Sequence, residues 1–264
     1  MKITKLFALA IFLFANAINS FSQFKIATDA NIQTPKEYYL QVKQFGEFIN
    51  RFNYKTDWKG NQITEEFAKK IHRNTYLLSL INQEDQRITN PNDSSYRVIC
   101  SEFIKFIINP EKPQEINLYS GQVKAQALVN IICFGKAAQV KVEMIPDVLS
   151  DRSARWVING VESDLFAQNA DSIKQRFIAP NSHETNFINL KRLNESPNGI
   201  YYLSTPVANT ITFIKGIEQK KIQIQNIEKV TFQITFPGWI ITVDEFTRNS
   251  NNSGWLISDI KKVY

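Results

Sequence analysis

Near Gln122 the spacing of apolar residues in this 264-residue chain switches from helical to alternating, and that switch limits the fold more than any motif does. Upstream, Tyr38, Val42, Phe45, Ile49 and Phe52 recur at helical spacing, with Pro35 at a favoured first position and Thr34 as cap. A second helix is expected from Thr64 through Phe67, Ile71, Leu78 and Ile81, with Glu65 and Glu66 suiting its first-turn dipole. The polar turn Asn90-Pro91-Asn92-Asp93 separates it from a third helix, Ser94 to about Ile108, which ends before Pro110. Downstream, Val123, Ala125, Ala127, Val129, Ile131 and Cys133 fall on one face of a strand. A turn at Gly135-Lys136 then returns the chain through Ala138, Val140, Val142 and Met144. Ala154-Arg155-Trp156-Val157-Ile158 completes a half-buried antiparallel meander.

The second half repeats this order in shorter form. Helices are expected over about Ser182–Leu193, capped by Ser182, and over about Pro206–Ile217. Strands follow from Ile222 to Thr235, Gly238 to Arg248 and Gly254 to Val263. A slip of apolar phase between Ile224 and Ile227 predicts a bulge near Asn226 that bends the sheet. The domain reading is a first unit over 23–167 and a shorter one over 168–264, packed as one body or as two.

Helices first, then bent antiparallel strands, the last of each meander opening with Trp156-Val157-Ile158 or Trp255-Leu256-Ile257, resemble the cystatin-like α+β fold of the NTF2-like superfamily. The resemblance covers roughly residues 36–163 and, less completely, 180–264. It implies a curved sheet wrapped around a helix and enclosing a cone-shaped pocket. That architecture hosts enzymes, ligand binders and interaction modules alike, so it speaks to fold and places no catalytic residue on this chain.

Lys2 and Lys5 precede the apolar run Leu6–Ala15, and Ser20-Phe21-Ser22 ends it with small residues. This reads as a signal peptide over 1–22, cut after Ser22, from a protein that is periplasmic or secreted. The run is too short for a transmembrane anchor, and no later run approaches eighteen apolar residues. Removing two lysines leaves 29 basic against 25 acidic side chains, mixed along the chain without a basic block, so no nucleic-acid partner is expected. Cys100 and Cys133 sit in apolar stretches; a single bridge and two free buried thiols are both open readings.

Catalytic spacing is sparse. His183-Glu184-Thr185-Asn186-Phe187 opens like a helical zinc-protease motif, but Phe187 stands where the second histidine belongs, and the other histidine is the distant His72. His183 and Glu184 then read as the first turn of a helix capped by Ser182. No metal or cofactor is expected: there is no nucleophile elbow, and the nine glycines form no phosphate-cradling loop. The residues worth watching as ligand or partner contacts are Arg155, Trp156, His183, Glu184, Asn252 and Trp255. For Asn252 the competing reading is a hairpin turn, and for Trp156 and Trp255 it is the core. The leading expectation is an exported non-catalytic module binding a protein partner or small ligand. A pocket hydrolase or isomerase and a structural component of an envelope assembly are the alternatives.

Overall fold

The computed structural model describes residues 41–151, 153–166 and 205–264. Helices α1 (Phe45–Phe52), α2 (Glu65–Lys70), α3 (Arg73–Ser79), α4 (Gln86–Thr89) and α5 (Ser95–Ile107) lead into strands β1 (Val123–Cys133), β2 (Lys136–Val148) and β3 (Ala154–Glu162). A short 3₁₀ turn, Asp164–Phe166, follows; α6 (Thr205–Glu218) then precedes β4 (Ile222–Phe236), β5 (Trp239–Phe246) and β6 (Gly254–Lys262). The protein is α+β, with an antiparallel sheet in the order β3-β2-β1-β4-β5-β6. The chain divides into two compact units, one formed by residues up to Ile116 together with Ile234–Tyr264, the other by Asn117–Gln233. Strand β4 belongs to both.

In the first unit the helices bury aromatic side chains against β5 and β6. Phe52 stacks on Phe236 at 5.8 Å, and Phe103 packs on Trp239 at 5.5 Å. Trp239, Ile241 and Val243 alternate inward along β5, as their period-2 spacing requires. Two expected helices are corrected here. The helix begins at Phe45, not upstream of Val42, because Val42 is extended and its N–H and C=O are taken by Ser253 O and Trp255 N–H at 3.2 and 2.9 Å. Its expected start at Pro35 lies outside the described residues. The helix from Thr64 to Ile81 is broken in two. Thr64 caps α2 through Phe67 N–H, but Ile71 is extended and its carbonyl accepts from Tyr54 Oη. Ile81 ends in a parallel bridge to Ile257. In each case a non-local hydrogen bond outweighs helical periodicity, which is only a local preference.

In the second unit β1 alternates perfectly between buried and half-buried, and its Ala127, Val129, Ile131 and Cys133 pack with Val140, Val142, Val161, Phe213 and Ile222. The β1–β2 loop is Phe134-Gly135, one residue earlier than expected, with Cys133 paired to Lys136 and φ of 48° and 78° at the two loop residues. Among the described pairings the register shifts lie between Glu143 and Met144 and between Thr242 and Val243. On β4, Ile224 and Ile227 are both exposed.

Candidate functional site

The β2–β3 hairpin carries the most unusual surface of the second unit. Opposite the register shift at Glu143/Met144, Asn159 is the extra residue, and such a bulge bends and twists the strand pair. Trp156 faces Pro146 across the ladder and shares its side of the sheet with Met144, which packs on the core. Strand β3 lies three interstrand steps from β4, about 14 Å in a flat sheet. The Trp156 and Phe232 rings are nevertheless 5.8 Å apart. The sheet of this unit therefore curves toward the face that Phe213 of α6 covers.

Helix α6 packs on β3, and Gly160 and Val161 are buried at that end of the strand. The other end is more open. Val148, Leu149, Trp156 and Ile158 are 50, 37, 36 and 37% exposed, a cluster of large apolar groups on one hairpin. Its tip is held by Leu149 N–H donating to Ser153 O at 2.8 Å, and by Asp151, whose carboxylate accepts from Ser153 Oγ and N–H. Those two hydrogen bonds, side chain first, hold the Asp151 carboxyl below the usual range. Beside the cluster, Arg155 Nε donates to Asp147 at 3.3 Å, an exposed pair that orients the strand without adding much stability.

Of the other sequence candidates, Asn252 and Trp255 belong to the first unit, and His183 and Glu184 lie outside the described residues. Asn252 is buried and saturated. Its Oδ1 accepts from Gln83 N–H at 2.8 Å, and its Nδ2 donates to Ser79 O and Ile81 O at 3.2 and 3.0 Å. Arg248 donates to the Asn252 carbonyl at 2.7 Å and to Glu84 at 3.0 Å. That side chain clamps the α3 exit to the β5–β6 loop and has no capacity left for a ligand. Trp255 is half-buried, edge-on to Phe45 at 6.2 Å. Arg155 and Trp156 both lie on β3 but, as consecutive strand residues, on opposite faces, so Trp156 alone of the candidates joins the exposed apolar cluster. Sequence reasoning missed Val148, Leu149 and Ile158, because periodicity reads every apolar residue in phase as buried.

Acid–base and metal chemistry find little footing among the described residues, where no group of three His, Cys, Asp or Glu could hold a metal. Cys100 and Cys133 are both free and buried, and burial pushes the Cys100 thiol up to about 12. A thiol so placed is a poor nucleophile at neutral pH. On the sheet, Gln126, Leu128, Lys141, Lys229 and Thr231 line a shallow depression of about 140 Å³. A pocket that engulfs a drug-sized ligand starts near 300 Å³, and this lining holds no carboxylate to work as acid or base. No described helix is long and apolar enough to cross a membrane. Comparison with known proteins found no matching family model, no matching curated protein and no matching solved structure.

Proposed function

We propose that this protein is an exported, non-catalytic module of cystatin-like form that docks a protein partner along the more open half of β3. The observation that carries this reading is the cluster of Val148, Leu149, Trp156 and Ile158 beside the strand at one edge of the described sheet. Among the described strands β3 has β2 as its sole neighbour, so its outer N–H and C=O groups can accept an extended partner segment. Trp156 and Ile158, two residues apart, are then the side-chain anchors, and tryptophan is among the residues that most often carry interface energy. The curvature that brings Trp156 to Phe232 supports the cystatin-like resemblance. Export rests on Lys2, Lys5 and the run Leu6–Ala15.

The test is the double variant Trp156→Ser, Ile158→Ser, compared with the parent by thermal melting and by cross-linking in intact cells. Both side chains are about a third exposed and Trp156 also packs on Phe232, so the variant should lose about 1–2 kcal/mol, less than the loss of a core tryptophan. A defined cross-linked partner of the parent should disappear. Cross-links that survive the substitutions, or a loss of stability like that of a core tryptophan, would sink the reading. N-terminal sequencing of the exported protein checks the cut after Ser22.

A further inference from the structure

At the other end of β2, some twelve residues and about 40 Å of strand from the hairpin tip, the turn Phe134-Gly135 presents a second unusual surface. Two-residue hairpin loops of this kind need positive φ at both positions and are normally filled by Asn-Gly or Asp-Gly. Here Phe134 adopts φ 48° and is 72% exposed. A bulky residue in the left-handed region strains the backbone, and this one recovers little of that by burial. The Phe134 N–H donates to Lys221 O at 2.9 Å, fastening the tip to the α6–β4 turn, where Lys220 is also left-handed at φ 57°. Lys136 follows the turn directly, Lys220 and Lys221 stand in the turn to which Phe134 N–H is bonded, and all three are exposed, with none in an ion pair among the described residues. Glu218 is the nearest acid in sequence.

We infer that this tip is a peripheral contact for an anionic phospholipid bilayer. The three lysine ammonium groups meet the lipid phosphates, while Phe134 enters the headgroup–acyl boundary. Charge complementarity selects the occupant: three uncompensated cations flanking one protruding aromatic ring suit a surface that is negative outside and apolar just beneath. The tip lies at the opposite end of β2 from the exposed hairpin, so both surfaces can be engaged together, and this inference stands whether or not the partner proposal does.

The experiment is sedimentation of the purified full chain with vesicles of phosphatidylglycerol and phosphatidylcholine in equal parts, against vesicles of phosphatidylcholine alone, at about 0.1 M salt. The parent should bind the anionic vesicles at least tenfold more tightly than the neutral ones. Phe134→Asn places the preferred residue in the turn, so it should fold at least as stably as the parent yet bind at least fivefold more weakly. Lys136→Gln, Lys220→Asn, Lys221→Gln together should abolish the preference for anionic vesicles, since each lysine near such a surface is worth about fivefold. Equal binding to both vesicles by the parent overturns the inference. So does undiminished binding of Phe134→Asn, which would mark a merely electrostatic patch.

Discussion

Val42 and Gly254 meet backbone to backbone. Val42 bridges Gly254 in parallel register, its N–H donating to Ser253 O and its C=O accepting from Trp255 N–H. Gly254 has φ +86°, and a Cβ built there would overlap the Val42 backbone. The segment before α1 is thereby laced to the first residues of β6.

Gly254→Ala should therefore be among the most damaging single-methyl additions in the chain. The left-handed φ and the collision with main-chain atoms both act, and neither can be relieved by rotating a side chain. A loss of about 2–4 kcal/mol is expected in urea denaturation, against less than about 1 kcal/mol for Gly46→Ala, where the added carbon meets nothing. Equal effects at the two glycines would show that the Val42 bridge is not made in solution.

Asn252 supports a second prediction. Asn252→Ala strands Gln83 N–H and the carbonyls of Ser79 and Ile81, so it should cost roughly 2–4 kcal/mol. Asn252→Asp keeps the shape and the acceptor but replaces two donated hydrogen bonds with carboxylate–carbonyl repulsion. Near neutral pH it should be at least as damaging as alanine, and it should recover as the carboxyl is protonated in acid. The readout is the denaturation midpoint of both variants between pH 4 and 7.

Thiol chemistry gives a third. Cys100 and Cys133 are free and buried, and the Cys100 thiol is held up to about 12 by burial. In native buffer at pH 8 a thiol reagent should label neither residue within minutes, and in denaturant it should label both without prior reduction. Failure to label in denaturant until a reductant is added would reveal a bridge.

The fourth prediction concerns acid. The Asp85 carboxylate is bound by the Arg87 guanidinium and by Arg87 N–H, which hold it below the usual range despite the opposing effect of burial. Arg87 also reaches Asp259 at 2.7 Å and lies over the Tyr96 ring at 3.9 Å. A carboxyl depressed in the folded state takes its proton first in the unfolded state. Its contribution is complete above the unfolded value near 4 and is lost as pH falls through the folded value. Stability should be flat from pH 5 to 7 and decline below about 4. Asp85→Asn should cost about 1 kcal/mol at neutral pH and soften that decline. An unchanged acid limb in this variant would remove Asp85 from the account.

Trp255 shows how far local pattern carries. Its strand and its phase are legible, yet it is half-buried against Phe45 and not sealed in the core. Trp239, in the same kind of alternation, is 6% exposed and packs on Phe103. Nothing within either strand separates the two, because the difference is made by which helix crosses above. Arg51 is the converse case: its place at the last turn of α1 suits the helix dipole, but only packing buries it to 2% beside Glu47.

By itself the sequence determined the elements whose signal is repeated along one segment: the alternation of β1, the span of α5, the strand limits of β5 and β6, and the Thr64 cap. Each depends on interactions within a few residues or on a period that a single face imposes. Tertiary structure alone decided the break at Ile71, the extended Val42, the clamp at Asn252 and the exposure of Val148, Leu149, Trp156 and Ile158. Those features join residues up to about 210 positions apart, or depend on how little the described neighbours cover, and no local pattern can encode a partner that arrives only when the chain closes.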